Sequence, residues 1–294
     1  MLRMMEPDKK QRPIRVVPIA SCSVTIPLIR LRKRNVAVSV LPRMGFTQWP
    51  LSFSPGSALQ LALIARGDLS IPYPIDDVCY GGAPNAAHPD AARVLSTADI
   101  VMLEMSTPIE FVYRGLFLNQ NRLRVFLRKE FGHLGADTAK AVSRWIAVAQ
   151  KLDHVERESA ADRLVTDLKS SGYSNQTVLD LIAEMQTRRA GADEISERMR
   201  LVRALMGLPV AVVLYNFRYM PDGRAIDWPT GFRADVKKAA INVGLPLYDP
   251  ASLVQRHTVP TAMIPDSGHY RSEFNEIVAD DYLKFMCGVI GRQI

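Results

Sequence analysis

The chain has 294 residues, 48% hydrophobic and 23% charged, an ordinary globular composition long enough for one large domain or a domain with a sizeable insertion. No window holds the ~18 uninterrupted apolar residues that a membrane-spanning helix needs, and glycine and proline are too few and too scattered for a collagen-like or low-complexity chain. The net charge of +7 sits at the start: residues 1–34 carry nine basic side chains (Arg3, Lys9, Lys10, Arg12, Arg15, Arg30, Arg32, Lys33, Arg34) against two acidic ones (Glu6, Asp8), nine minus two, so the rest is neutral overall and a nucleic-acid-binding body is not expected.

The opening MLRMMEPDKKQRPIR has charges and no apolar stretch of the secretory kind, so residues 1–13 read as a disordered tail without a signal. Ile14 to Ala20 is a short apolar run suited to a buried strand, with Pro18 best placed near its end. The polar turn Ser21-Cys22-Ser23 follows, then an apolar-basic helix over Val24 to Arg34 with Pro27 in its first turn. Val36 to Leu41 is β-branched and predicts a second strand. Ser57 to Arg66 predicts a helix, Ser57 capping its start and Gly67 lying past its end. Asp77 to Tyr80 predicts a short strand running into Gly81-Gly82, and Asp99 to Met105 a buried strand ending at Ser106-Thr107-Pro108.

From Arg114 to Leu208 charged and apolar residues alternate at helical spacing, predicting three to five helices. Strand character returns at Pro209 to Tyr215, followed by a helix over Phe232 to Val243, a short strand over Pro246 to Tyr248, and a last helix over Phe274 to Ile290. Apolar strands alternating with helices predict an α/β fold, a three-layer sandwich around a mainly parallel sheet. The expected organisation is residues 14–113 and 209–294 as the α/β domain, with 114–208 as a helical insertion or cap.

In such sheets ligands bind beyond the carboxyl ends of the strands. That rule selects Ser21-Cys22-Ser23, Gly81-Gly82, Ser106-Thr107, Asn216 and Asp249; the late loop Ile264 to Tyr270 is added to them. The loop contains Asp266-x-x-His269, a spacing in which a carboxylate can hold one imidazole tautomer during acyl transfer. The spacing alone is of poor specificity; its place just before the last helix, with a turn rich in nucleophiles just after the first strand, is what singles it out. Ser21, Cys22 and Ser23 offer two hydroxyls and a thiol where the first helix turn also presents backbone N–H groups. Gly81 and Gly82 would let a backbone amide approach a substrate. Cys22, Cys79 and Cys287 form neither a disulfide framework nor a CxxC pair, and the remaining histidines show no ligand spacing, so no metal and a reducing, cytoplasmic setting are expected.

The order of these motifs resembles the SGNH/GDSL hydrolase superfamily over roughly residues 14–110 and 209–294. The Ser21-Cys22 pair after the first strand is similar to the GSCFA branch and to capsule-biosynthesis acyltransferase-like proteins, as is Trp49 to Leu63. The resemblance implies a nucleophile at Cys22, with Ser21 or Ser23 in its place if the alignment moves by one. It further implies Asp266 and His269 as the acid-base pair, and an oxyanion glycine at Gly82 or Gly81. The superfamily's Gly-x-Asn-Asp block has no counterpart: Met105-Ser106-Thr107-Pro108 stands there, leaving Ser106, Thr107 or Asn85 as substitute donors. The implied activity is hydrolysis or transfer of an acyl group on a small or carbohydrate-linked ester or thioester. No cofactor is required, and acyl-CoA is a candidate donor. The competing expectation is a catalytically degenerate SGNH fold that binds or scaffolds a partner.

Overall fold

The computed structural model describes residues 12–34, 36–38, 54–80, 89–149, 154–220, 222–227, 230–265 and 268–293. In chain order the first half runs β1 (Ile14–Ile19), α1 (Cys22–Arg30), β2 (Val36–Val38), α2 (Pro55–Arg66), α3 (Ile75–Tyr80), α4 (Pro89–Thr97) and β3 (Ile100–Met105). A middle part follows: β4 (Ile109–Tyr113), β5 (Leu116–Leu118), α5 (Gln120–Phe131), α6 (Ala136–Ala149), α7 (His154–Ser170), α8 (Gln176–Glu184), β6 (Gln186–Arg189) and α9 (Ala192–Met206). The chain closes with β7 (Val210–Leu214), β8 (Arg218–Tyr219), β9 (Ala225–Ile226), α10 (Phe232–Val243), β10 (Leu247–Tyr248), α11 (Ala251–His257), α12 (Val259–Ala262) and α13 (Phe274–Ile290).

Five strands form one parallel sheet in the order β10-β7-β3-β1-β2. Its central strands are apolar but for Arg15 and Glu104 because both faces are covered. Val17, Val101 and Val212 face the core shared with α2, α9 and α10. Their neighbours Val16, Ile100 and Ala211 face the core shared with α1 and α13. The molecule is therefore the α/β three-layer sandwich expected from the apolar runs. Counted as core strands, the order is 2-1-3-4-5, whose switch point lies between β1 and β3.

Local departures from the sequence reading have physical causes. Asp77 to Tyr80 belongs to helix α3 rather than a strand: Asp76 and Asp77 occupy its first turn, where carboxylates suit the helix dipole, and Val78, Cys79 and Tyr80 are all buried. Helix α1 begins at Cys22, two residues earlier than expected, which puts Pro27 inside it; the 3₁₀ turn Leu31–Arg34 continues it. Ser54, not Ser57, caps α2, and the two serines form a reciprocal capping box. The middle part contains a three-stranded antiparallel sheet, β5-β4-β6, that periodicity did not announce. Its buried residues, such as Phe126 and Leu164, are continuous with the core on the α2 side. The expected tail lies outside the described residues as far as residue 11, but Arg12 is tied to Asp99 at 2.6 Å. Residues 39–41 of the second predicted strand also lie outside them.

Two members of the early basic cluster are paired. Arg30 lies 3.7 Å from Glu276, and Arg34 pairs with Asp280 and Glu276, all on α13. No helix among the described residues is long and apolar enough to cross a membrane.

One glycine is required by close approach. A Cβ on Gly56, in the first turn of α2, would stand 2.2 Å from the Phe117 ring. That ring is itself held beneath the guanidinium of Arg198 at 5.0 Å. Gly56→Ala is expected to destabilise the protein by about 1–3 kcal/mol through overpacking, read as a lower denaturation midpoint at unchanged m-value.

Candidate active site

Ser21 caps α1 from extended backbone (φ −79°, ψ −178°), its side chain accepting the Ser23 N–H. This places Cys22 at the first position of the helix, just beyond the carboxyl end of β1. The N–H groups of a first helical turn have no partner within the helix. Those of Cys22 and Ser23 lie close enough to the sulfur to favour its thiolate. Burial acts more strongly in the other direction, the charge of Glu104 adds to it, and the thiol is pushed up from its ordinary value.

His269 reaches this sulfur from a distant part of the chain, with Nε2 2.9 Å from Cys22 Sγ. Its loop is held on both sides. Met263 and Tyr270 form an isolated antiparallel bridge, and Ile264 N–H donates to the His269 carbonyl at 3.0 Å. Asn216, just after β7, donates through Nδ2 to the Gly268 carbonyl at 3.4 Å and accepts the Tyr270 hydroxyl through Oδ1 at 3.1 Å. The first and fourth core strands thus bring the thiol and the imidazole together.

Glu104, the penultimate residue of β3, completes the cluster. It is buried, accepting the Ser21 N–H at 2.8 Å and the Ser23 hydroxyl at 2.7 Å. Burial pushes its carboxyl up from the usual carboxylate range, against the three bonds from Ser21 and Ser23 that favour its charge. The hydroxyls of Ser21 and Ser23 lie 2.7 Å apart.

These groups open into a cavity of about 590 Å³. Its far wall is built by the start of α2, the face of β4 and the start of α5, where Asn119 caps the helix by accepting the N–H groups of Asn121 and Arg122. Arg124 and Arg218 bring two guanidinium groups to the lining.

Of the residues selected from sequence, Ser21, Cys22, His269, Ser106, Thr107 and Asn216 all line this cavity. Thr107 Oγ1 accepts the Ile109 N–H at 3.1 Å. Asp266, Gly81, Gly82 and Asn85 lie outside the described residues. Asp249 turns away, pairing with Arg233. Among the other histidines, His154 pairs with Glu158 and His257 packs on Phe274. No group of three His, Cys, Asp or Glu among the described residues is arranged to hold a metal ion.

The sequence reading assigned no functional role to Glu104, Ser54, Ser57, Asn119, Arg124 or Arg218. For Glu104 a signal existed: a carboxylate inside an otherwise apolar strand buried at every position. For the others there was none, since polar residues at helix starts are ordinary caps until the tertiary structure turns them toward a cavity.

No curated protein and no solved structure matches the chain. The family model described as "TviD N-terminal domain" does, over residues 14–285, a span that takes in Cys22, Glu104, Asn216 and His269 alike. The chain belongs to the TviD N-terminal domain family.

Proposed function

We propose that the protein transfers acyl groups to or from a carbohydrate-linked ester, with Cys22 as nucleophile and His269 as general base and acid. The observation that carries this reading is the 2.9 Å contact between Cys22 Sγ and His269 Nε2 at a helix N-terminus that opens into a cavity. Nucleophile and base within hydrogen-bond reach are the geometric requirement for covalent acyl transfer. The Ser21 hydroxyl lies on the Ser23 hydroxyl instead, so we assign it to the turn and not to the attack.

In the first step the thiol proton passes to His269 Nε2 as sulfur bonds to the carbonyl carbon of the donor ester or thioester. The tetrahedral oxyanion is received by the Cys22 N–H at the start of α1. The donor's carbon–oxygen or carbon–sulfur bond then breaks, and its leaving group takes the proton from His269. In the second step an acceptor hydroxyl gives its proton to His269 and attacks the Cys22 acyl-thioester, releasing the thiol. Water in place of that hydroxyl makes the reaction a hydrolysis, so the outcome depends on what fills the cavity. Acyl-CoA is a suitable thioester donor. Membership of the TviD N-terminal domain family supports an acceptor in capsule polysaccharide, and a cavity lined by Asn119, Asn121 and Arg124 offers the polar contacts that a sugar needs. The order of the core strands and the Cys22–His269 pair are compatible with the SGNH-type architecture that the sequence resembles.

The test is intact-mass analysis of the protein mixed with acetyl-CoA or a short-chain aryl ester. A mass increase of one acyl group on Cys22, discharged by adding a polysaccharide acceptor, is the expected result. A folded protein that never acquires the acyl group, from any donor and with acceptor present, overturns the reading in favour of a binding protein on a degenerate site.

A further inference from the structure

Among the described residues that line the cavity, Glu104 alone is acidic. It occupies the sheet face that carries α1, so its carboxylate sits directly under the turn that presents the nucleophile. Its two oxygens take hydrogen bonds from the residues immediately before and after Cys22: the Ser21 N–H on one and the Ser23 hydroxyl on the other. A buried carboxylate satisfied in this way by two residues that flank a nucleophile fixes the direction of the side chain between them.

We propose that Glu104 is a positioning residue for Cys22: it clamps Ser21 and Ser23 on either side of the thiol and, by its charge beneath that turn, opposes the thiolate until an acyl donor is bound. This rests on the reading of Cys22 as the nucleophile. The advantage of a neutral thiol is chemical. A thiolate made cheaply is a weaker nucleophile, because nucleophilicity falls as the thiol's acidity rises. A thiol deprotonated only during attack keeps that reactivity and is spared oxidation between turnovers. The balance of effects at Cys22 runs in this direction, burial and Glu104 opposing the thiolate and the amides of Cys22 and Ser23 favouring it.

The titratable groups that face Glu104 are few. Cys22 lies above it, with His269 beyond the sulfur. Tyr270 and Tyr282, on the side of α13, also feel its charge, and burial pushes both hydroxyls above the ordinary tyrosine range.

The experiment measures the rate of iodoacetamide alkylation at Cys22 against pH in the full-length protein, with the modified residue located by mass; Cys79 and Cys287 are buried. Glu104→Gln keeps both hydrogen bonds, its carbonyl accepting the Ser21 N–H and its amide donating to Ser23 Oγ, but removes the charge. The alkylation midpoint is expected to move to lower pH, with a rate at pH 7 about three- to tenfold higher. Glu104→Ala, which loses both tethers, is expected to lower kcat of acyl transfer on the order of tenfold to a hundredfold at unchanged KM, with Gln restoring most of the loss. An unshifted midpoint in folded Glu104→Gln overturns the proposal. Should Glu104 variants not fold, Ser23→Ala decides: a kcat reduced several-fold and restored by Ser23→Thr supports the clamp, and wild-type kcat refutes it. The alkylation midpoint needs no turnover, so it reads the effect of Glu104 even if Cys22→Ala still transfers acyl groups, the result that would sink the proposed function instead.

Discussion

Cys22→Ala and His269→Ala are each expected to reduce acyl transfer by about 10²–10⁴-fold, and the double variant to be little worse than either alone. The size follows from removing a nucleophile or a general base. The non-additivity follows from their acting as one unit: an imidazole has no proton to take once the thiol is gone, and the thiol has no base once the imidazole is gone. Both variants should fold, because Cys22 is half-exposed and neither side chain is part of a packed core. Ser21→Ala should behave differently. It removes a helix cap, costing about 1 kcal/mol, and leaves the Cys22–His269 contact in place. Steady-state transfer assays beside thermal unfolding separate the two effects. Full activity in Cys22→Ala, or a Ser21→Ala variant as inactive as Cys22→Ala, would transfer the nucleophile's role elsewhere.

Glu110→Ala is expected to be the most destabilising single change in the far wall of the cavity, by about 3–5 kcal/mol. The Glu110 carboxylate, on β4, is fully inaccessible to solvent. It accepts the N–H of Gly56 at 2.7 Å, pairs with Arg198 of α9 and lies 3.0 Å from Arg188 of β6. Removing it leaves the Gly56 N–H without an acceptor and the guanidinium groups of Arg188 and the buried Arg198 with only the half-exposed Glu194 as counter-charge. The loss is therefore not the worth of one ion pair but the desolvation of the partners left behind. Arg198→Met alone should cost nearly as much, while Glu110→Gln with Arg198→Met should recover part of the loss. Urea denaturation of the three variants tests this order. A Glu110→Ala protein within 1 kcal/mol of wild type would show that the network contributes little. Since Gly56 stands between Ser54 and Ser57, which line the cavity, the same variants should also weaken substrate binding.

Much of the architecture was legible because burial writes itself into local pattern. Ile14–Ile19, Ile100–Met105 and Val210–Leu214 are apolar on both faces, as strands covered on two sides must be, and they announce a parallel sheet without any knowledge of their partners. Helices α10 and α13 fall where their spacing places them. Short elements did not follow local pattern. Four residues from Asp77 to Tyr80 cannot distinguish a strand from a buried helix by periodicity, and tertiary burial of α3 decided it. The antiparallel pairing of β4 with β6 joins segments more than seventy residues apart, as Ile109 with Arg189, and no window of sequence contains both.

The candidate site divides in the same way. The rule that ligands gather beyond strand ends selected Cys22 and Asn216, and the Asp266-x-x-His269 spacing before the last helix selected His269, each one at a time. Their meeting was not in the sequence: Cys22 and His269 are 247 positions apart, and only the winding of the sheet brings the imidazole onto the sulfur. Glu104 was hidden for the opposite reason. It stands in plain view in a buried strand, yet a carboxylate there is an anomaly until the two donors that satisfy it, eighty-odd residues earlier, are known. What the sequence by itself determined was therefore the set of elements and the positions able to carry chemistry, since both depend on burial and on turn composition that neighbours in the chain reveal. The tertiary structure alone decided which of those positions act together, because a hydrogen bond or an ion pair is a matter of ångströms between atoms whose separation along the chain says nothing about their separation in space.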